Sequence, residues 1–292
     1  MLYFCPMKPK DQFLSINNLR LHLRDWGGAG RSVILIHGLA SNAKIWDWVA
    51  PELAKSCRVV ALDQRSHGLS DAPKNLDYGF EFMCSDLYEV IAQLNFDKPV
   101  LVGHSWGASV VLEFATRYPD LARGVIMIDG GFLTMNKRMT WEEAEQRLAP
   151  PKLAGTPLEV FRERVKSFSG ERFSDELFEI ILGNFEVSPD GTIRPHLAFE
   201  SHLRIVRAMW EENADELYPR VKCPALFLPC VPPEPLDEMA KQFLQFRREG
   251  AELAAKLMPQ AKVEWLSDSI HDVPLQKPKE VAERLKKFIE EN

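Results

Sequence analysis

Residues 103–107 read Gly103-His104-Ser105-Trp106-Gly107, a G-x-S-x-G. A serine hydroxyl is a poor nucleophile at neutral pH and needs a base within hydrogen-bond reach. What surrounds Ser105 suits it to that task. Pro99–Val102 is a short apolar run, rich in valine and long enough for a buried strand. Ser105–Tyr118 carries Val110, Val111, Phe114 and Ala115 at helical spacing. A strand that turns straight into a helix strains its middle residue. It also crowds the residues two before and two after, so both must be tiny. Gly103 and Gly107 meet that need. The hydroxyl is then pushed out at the end of the sheet, with the free N–H groups of the helix behind it. A glycine-rich turn with an incidental serine needs neither flank.

Seven histidines are candidate bases. His271 follows the last apolar run, in S-D-S-I-H-D-V-P, on a loop at the carboxyl edge of the sheet. Ser105 leaves the sheet at that same edge, where open α/β sheets bind ligands. His104 adjoins the serine and must point elsewhere. His67 reads as loop packing and His22 as part of a hairpin. His196 and His202 lie in or beside the segment that interrupts the fold. The tetrahedral intermediate of acyl transfer also needs two donors for its oxyanion. One expected donor is the Trp106 N–H, just after the nucleophile. The other is the Leu39 N–H, in the loop that opens with His37-Gly38.

The elements that must hold these residues alternate. Gln12–Ile16 and Leu19–Trp26 flank Asn17-Asn18, two residues that tolerate a tight hairpin turn. Ser32–Ile36, Arg58–Leu62 and Gly124–Ile128 are apolar runs expected of strands buried on both faces. Helices are expected over Ala43–Lys55 and Phe80–Leu94. This predicts an α/β fold, a mostly parallel central sheet with helices on both faces. From Phe132 to Asn213 the rhythm breaks into helix-like pieces separated by turn signals such as Pro189-Asp190-Gly191. It resumes with Pro224–Leu228, a helix over Leu236–Leu257, strand Lys262–Leu266 and a last helix Pro278–Glu290. The expected division is a core of residues 1–132 and 214–292, with a helical insertion at 133–213.

The chain has 292 residues, 46% of them hydrophobic, enough for a sizeable core. A net charge of -6 argues against nucleic acid, which wants a basic face. Five cysteines without C-x-x-C spacing suggest free thiols in a reducing compartment. The first residues lack the apolar core of a secretory signal. No apolar stretch is long enough to span a membrane. A cytoplasmic protein with no membrane partner is therefore expected.

Taken together, H-G-L-A-S (37–41), D-Q-R-S-H-G-L-S-D (63–71), G-H-S-W-G (103–107) and H-D-V-P (271–274) resemble the α/β-hydrolase superfamily, from Leu14 to Phe288. The resemblance implies that the insertion is a cap domain and that the chain order is serine, acid, histidine. It also implies a serine hydrolase of carboxylic esters or lactones, a carboxylesterase of the EC 3.1.1 type, working through an acyl-enzyme without metal or organic cofactor. Thioesterase or carbon–carbon bond hydrolase activity on the same triad is the alternative. A slow ligand sensor signalling through its cap is the alternative from another class. An aspartate at position 105 would have implied an epoxide hydrolase or haloalkane dehalogenase; Ser105 disfavours both. The partner is a small or medium apolar ester or lactone, in a pocket expected to use Trp46, Trp106 and Met209. Two positions depart from the family pattern. Ser66 stands where glycine is usual. The loop after the seventh strand, P-C-V-P-P-E-P (229–235), lacks the usual Gly-x-x-Asp. The acid therefore has two candidates. Glu234 lies nearest the usual place, and Asp129 ends the sixth strand, where some cap-bearing members carry theirs.

Overall fold

A computed structural model describes residues 8–132 and 134–292. Cys5 and Leu133, the first residue of the expected insertion, lie outside the described residues. Eight strands form the main sheet, in the order β1-β2-β4-β3-β5-β6-β10-β11. The hairpin β1 (Lys10–Ile16) and β2 (Leu19–Gly27) turns at Asn17 and Asn18, both with positive φ (50° and 63°). β2 pairs antiparallel with β4 (Cys57–Leu62). β3 (Arg31–Ile36), β4, β5 (Val100–His104) and β6 (Gly124–Ile128) run parallel. Alternate side chains of β5 enter different cores, Leu101 on one face and Val100 and Val102 on the other. The expected helix over Ala43–Lys55 is broken. A 3₁₀ turn at Ala43–Trp46 gives way to α1 (Ala50–Leu53). Pro51 lacks an N–H and so opens a helix rather than continuing one. α2 (Phe80–Gln93) and α3 (Trp106–Arg117) follow as expected.

The segment between β6 and the rest of the sheet holds α4 (Trp141–Leu148), α5 (Leu158–Ser169), α6 (Asp175–Leu182) and α7 (Phe199–Glu211). It is not purely helical. β7 (Thr156–Pro157), β8 (Phe185–Val187) and β9 (Thr192–Pro195) make a small antiparallel sheet. Strands of two to four residues show too little alternation to be read from sequence. Pro189-Asp190-Gly191, a turn signal, is in fact the β8–β9 hairpin turn, closed by the Ser188 N–H donating to the Thr192 carbonyl at 2.8 Å. Phe161, Val165, Phe178 and Ile193 give this segment a small core of its own. Its two ends are tied together. The Thr134 hydroxyl and Lys137 ammonium both reach Asp215 at 2.6 Å, and the Tyr218 hydroxyl donates to the Gly131 carbonyl at 3.0 Å.

The chain returns through α8 (Ala214–Leu217), β10 (Ala225–Leu228), α9 (Glu238–Leu257) and β11 (Ala261–Val263). β11 stops short of the expected Leu266, which keeps one isolated bridge to Cys230. α10 (Val273–Gln276) and α11 (Pro278–Glu291) complete the chain. Cys57, Cys84, Cys223 and Cys230 are buried free thiols. No described helix is long and apolar enough to cross a membrane.

Candidate active site

Strand register brings the site together. Ile128 aligns with His104 of β5 on one side and with Leu228 of β10 on the other. Ser105, Asp129 and Pro229 therefore leave the sheet at one level. Ser105 has φ 55° and ψ −120°, a conformation that costs on the order of 1–3 kcal/mol and persists because its surroundings hold it. Its N–H donates to the Ile128 carbonyl at 2.9 Å. A Cβ on Gly103 would stand 2.1 Å from the Gly107 carbonyl oxygen, and one on Gly107 would stand 2.5 Å from that of Ile36. Both obstacles are backbone and cannot rotate away. Gly103→Ala should therefore lower stability by roughly 3 kcal/mol or abolish folding, read as a fall in the thermal midpoint. A melt within a degree or two of wild type would contradict that packing.

The His271 Nε2 lies 2.8 Å from the Ser105 hydroxyl, and its Nδ1 lies 2.6 Å from Asp129 Oδ2. The structure thus places Asp129, and not Glu234, against the histidine. Glu234 is exposed, and its carboxylate accepts from the Leu236 N–H within its own loop. Asp129 has no exposed side-chain surface. Besides His271, it accepts from the Cys230 N–H at 2.9 Å and from both ends of the Arg247 fork at 2.8 Å each. Burial works against the charged carboxylate. His271 and Arg247 outweigh it and hold the pKa at about 2. Desolvation by the groups packed around the ring also works against a proton on His271, whose side chain is still 48% exposed, but the hydrogen bond and charge of Asp129 prevail, and its pKa lies above the ordinary histidine value. Beside it, His104 holds the His271 carbonyl at 2.8 Å through Nε2. Burial, followed by the neighbouring His271, pushes the His104 pKa down to about 4. His104 is thus a neutral tether for the histidine loop. The sequence showed only that it had to point away from the serine.

The loop expected to supply the second oxyanion donor lies against Ser105. A Cβ on Gly38 would come within 2.9 Å of the Ser105 Cβ. His37 donates from Nδ1 to the Gly38 carbonyl at 2.7 Å and accepts the Gln64 N–H at Nε2. His67 accepts the Ala40 N–H at Nε2 and donates from Nδ1 to the Arg65 carbonyl. Both rings are buried, which lowers both pKa values, His67 to about 3. A second acid–histidine pair braces this region. The buried Asp63 carboxylate bonds His22 Nδ1 at 2.7 Å and also accepts the Ala43 and Leu69 N–H groups. Among the described residues, the Leu39 and Trp106 N–H groups have no protein acceptor. Ser66 does adopt a glycine-like φ of 66°, and its hydroxyl bonds the Tyr78 hydroxyl at 2.6 Å.

Cavities of about 890 and 510 Å³ lie between the inserted segment and the sheet edge. They share Ala40, Ser41, Pro151, Leu153, Asn184 and Phe185, so they adjoin. Leu39 and Asp272, the neighbour of His271, line the smaller; His67 and His196 line the larger. The expected pocket of Trp46, Trp106 and Met209 is not what lines this space. Trp46 is wholly buried in the core of Val33, Leu35 and Phe288. Trp106 is 1% exposed, its ring 5.6 Å from that of His67, and Met209 packs on the core. The interior has first claim on large apolar side chains, so their presence in the sequence does not by itself mark a pocket.

Residues 31–177 match the family model for the α/β hydrolase fold. A stretch of 123 residues is 35% identical to 2-(acetamidomethylene)succinate hydrolase of Mesorhizobium japonicum, covering 41% of this chain and 44% of that protein. Another of 117 residues is 34% identical to epoxide hydrolase 1 of Caenorhabditis elegans, covering 39% of this chain and 29% of that one. The matches thus span less than half the length of these relatives. The crystal structure of E-2-(acetamidomethylene)succinate hydrolase superimposes with a TM-score of 0.78 at 22% identity, over 97% of this chain and 99% of that one. The fold read from the residues and the matched family model agree: the chain belongs to the α/β-hydrolase fold family.

Proposed function

We propose that this protein is a serine hydrolase that cleaves small or medium carboxylic esters or lactones through an acyl-enzyme. The observation that carries the reading is the continuous relay from Ser105 Oγ through His271 to Asp129, at 2.8 and 2.6 Å. Ser105 attacks the carbonyl carbon while His271 Nε2 takes the hydroxyl proton. The carbonyl π electrons move onto oxygen, where the Leu39 and Trp106 N–H groups hold the developing charge. Asp129 stabilises the imidazolium. Collapse of the intermediate expels the alcohol, to which His271 returns the proton. Water, deprotonated by His271, then repeats the attack on the acyl-enzyme and releases the acid.

Chemistry separates this reading from epoxide opening, despite the similarity to epoxide hydrolases. Attack by a serine oxygen on an epoxide carbon leaves an alkyl ether, which His271 and water cannot cleave, so turnover stops. A second reading on the same triad draws on the match to 2-(acetamidomethylene)succinate hydrolase. Its substrate carries two carboxylates, and Lys152 and Arg194 stand in the lining of the larger cavity.

Steady-state assays on p-nitrophenyl esters of increasing chain length test the reading, with lactones and 2-(acetamidomethylene)succinate alongside. A single burst without turnover would favour the sensor instead. The pH profile adds a check. His271 acts only as a free base, and its pKa is raised. kcat/KM should therefore fall as pH drops through a midpoint above 6.5, the ordinary histidine value. An acid limb centred below 6 would not fit His271 as the base.

A further inference from the structure

Arg247 sits midway along α9, 118 residues from Asp129, and grips both oxygens of its carboxylate. The Arg247 side chain is 16% exposed and that of Asp129 not at all. A triad acid has only to accept from the histidine Nδ1 and to stay charged. Backbone N–H groups can orient it without adding charge. A whole cation placed there does something more, because it cancels much of the negative field that would otherwise hold a proton on His271. Asp129 and Arg247 together are neutral. When His271 is protonated, the three groups carry a net positive charge.

We propose that Arg247 is a positioning residue of the active site, whose fork fixes the Asp129 carboxylate and whose charge extends activity to more acidic pH. The proposal rests on the reading of Ser105, His271 and Asp129 as the reacting triad. Its two parts pull apart on mutation. Without the fork, the Asp129 carboxylate is left, among the described residues, with Cys230 and His271, and can rotate out of line. Without the charge, the full field of Asp129 falls on His271, which then keeps its proton to higher pH. Among the described residues, no other group facing the cluster substitutes for the guanidinium. Asp272, next in the chain, also favours a proton on His271. His104, 4.9 Å away ring to ring, is neutral. Burial and the Asp129 charge keep the Cys230 thiol protonated, its pKa pushed up to about 12.

The test compares Arg247→Met, which keeps length without charge, with Arg247→Lys, which keeps charge without the fork. Two readouts are taken: the pH profile of kcat/KM on p-nitrophenyl acetate, and the NMR titration of the His271 ring in each full-length protein. Arg247→Met should raise the His271 midpoint by about 0.5–1 pH unit and cut plateau kcat about tenfold. Arg247→Lys should keep the midpoint within about 0.3 unit while losing about threefold in kcat. An unchanged or lowered midpoint in Arg247→Met would overturn the proposal, leaving Arg247 as a brace of α9. If Arg247→Met does not fold, the lysine variant decides: a shifted midpoint or an unchanged plateau rate overturns it. If the wild type turns over no ester, the hydrolase reading fails, while the His271 titration still decides what Arg247 does.

Discussion

Ser105→Ala should give a folded protein whose ester hydrolysis has fallen by at least ~1,000-fold in kcat, since removing a triad nucleophile costs several orders of magnitude. No neighbour can take over. The hydroxyl bonds His271 on one side, and a Cβ on Gly38 would stand 3.4 Å from it. Neither residue can form an acyl ester. The fold should survive, because alanine keeps the Cβ and the Ser105 N–H still donates to the Ile128 carbonyl. A serine-directed phosphonate should add one label per wild-type chain and none to the variant. Residual kcat above about a tenth of wild type, on protein with an unchanged circular dichroism spectrum, would remove Ser105 from the mechanism.

Asp129→Asn should cost at least ~100-fold in kcat, whereas Glu234→Gln should cost less than ~10-fold. The carboxylate accepts from four donors and offers none. An amide of the same shape must place its NH₂ at one of the two oxygen positions, and every neighbour at both is a donor. At the Oδ2 position it meets His271 and one arm of the Arg247 fork; the ring must then reverse its tautomer, and Nε2 carries the proton it should be ready to accept. At the Oδ1 position it meets the Cys230 N–H and the other arm of the fork, so the guanidinium loses half its grip either way. Glu234, exposed and bonded within its own loop, has no such coupling to the histidine. Both variants should be assayed folded and at one pH. The reverse ranking would move the acid to the loop after β10.

Much of this was legible in the sequence, for reasons that are local. Gly103 and Gly107 report a backbone crowding that no side chain can hide. The apolar runs at 33–36, 59–62, 100–102 and 125–128 report burial on both faces. Asp129 was legible as a candidate because β5 and β6 are joined through one helix and pair side by side. The choice between it and Glu234 was not, because that depends on which carboxylate meets a loop arriving from beyond β11. Arg247 was invisible for a related reason. A basic residue in a 20-residue amphipathic helix looks like a solvated face, and only its bonds to Asp129, just past the end of β6, show that it turns inward. Trp46 shows the opposite error: a large aromatic a few residues beyond Leu39 is wholly buried in a core and takes no part in the cavity lining.

The ties at the base of the inserted segment have a consequence for how such a protein can diversify. Asp215 holds both Thr134 and Lys137, and Tyr218 holds Gly131, so the chain leaves and rejoins the sheet layer at one place. The entropic cost of closing a loop between fixed ends grows only with the logarithm of its length, about 0.6 kcal/mol for each doubling. On that count a longer, shorter or unrelated segment grafted between those ends costs the sheet little, provided it restores the contacts that Leu197 and Ile205 make with the core and the bonds that Asn42 makes with Ile180 and Asn184. Ser105, Asp129, Arg247 and His271 all lie outside it. The fold behaves at this point as a socket, in which the part that shapes the cavity can be exchanged while the reacting groups stay in register.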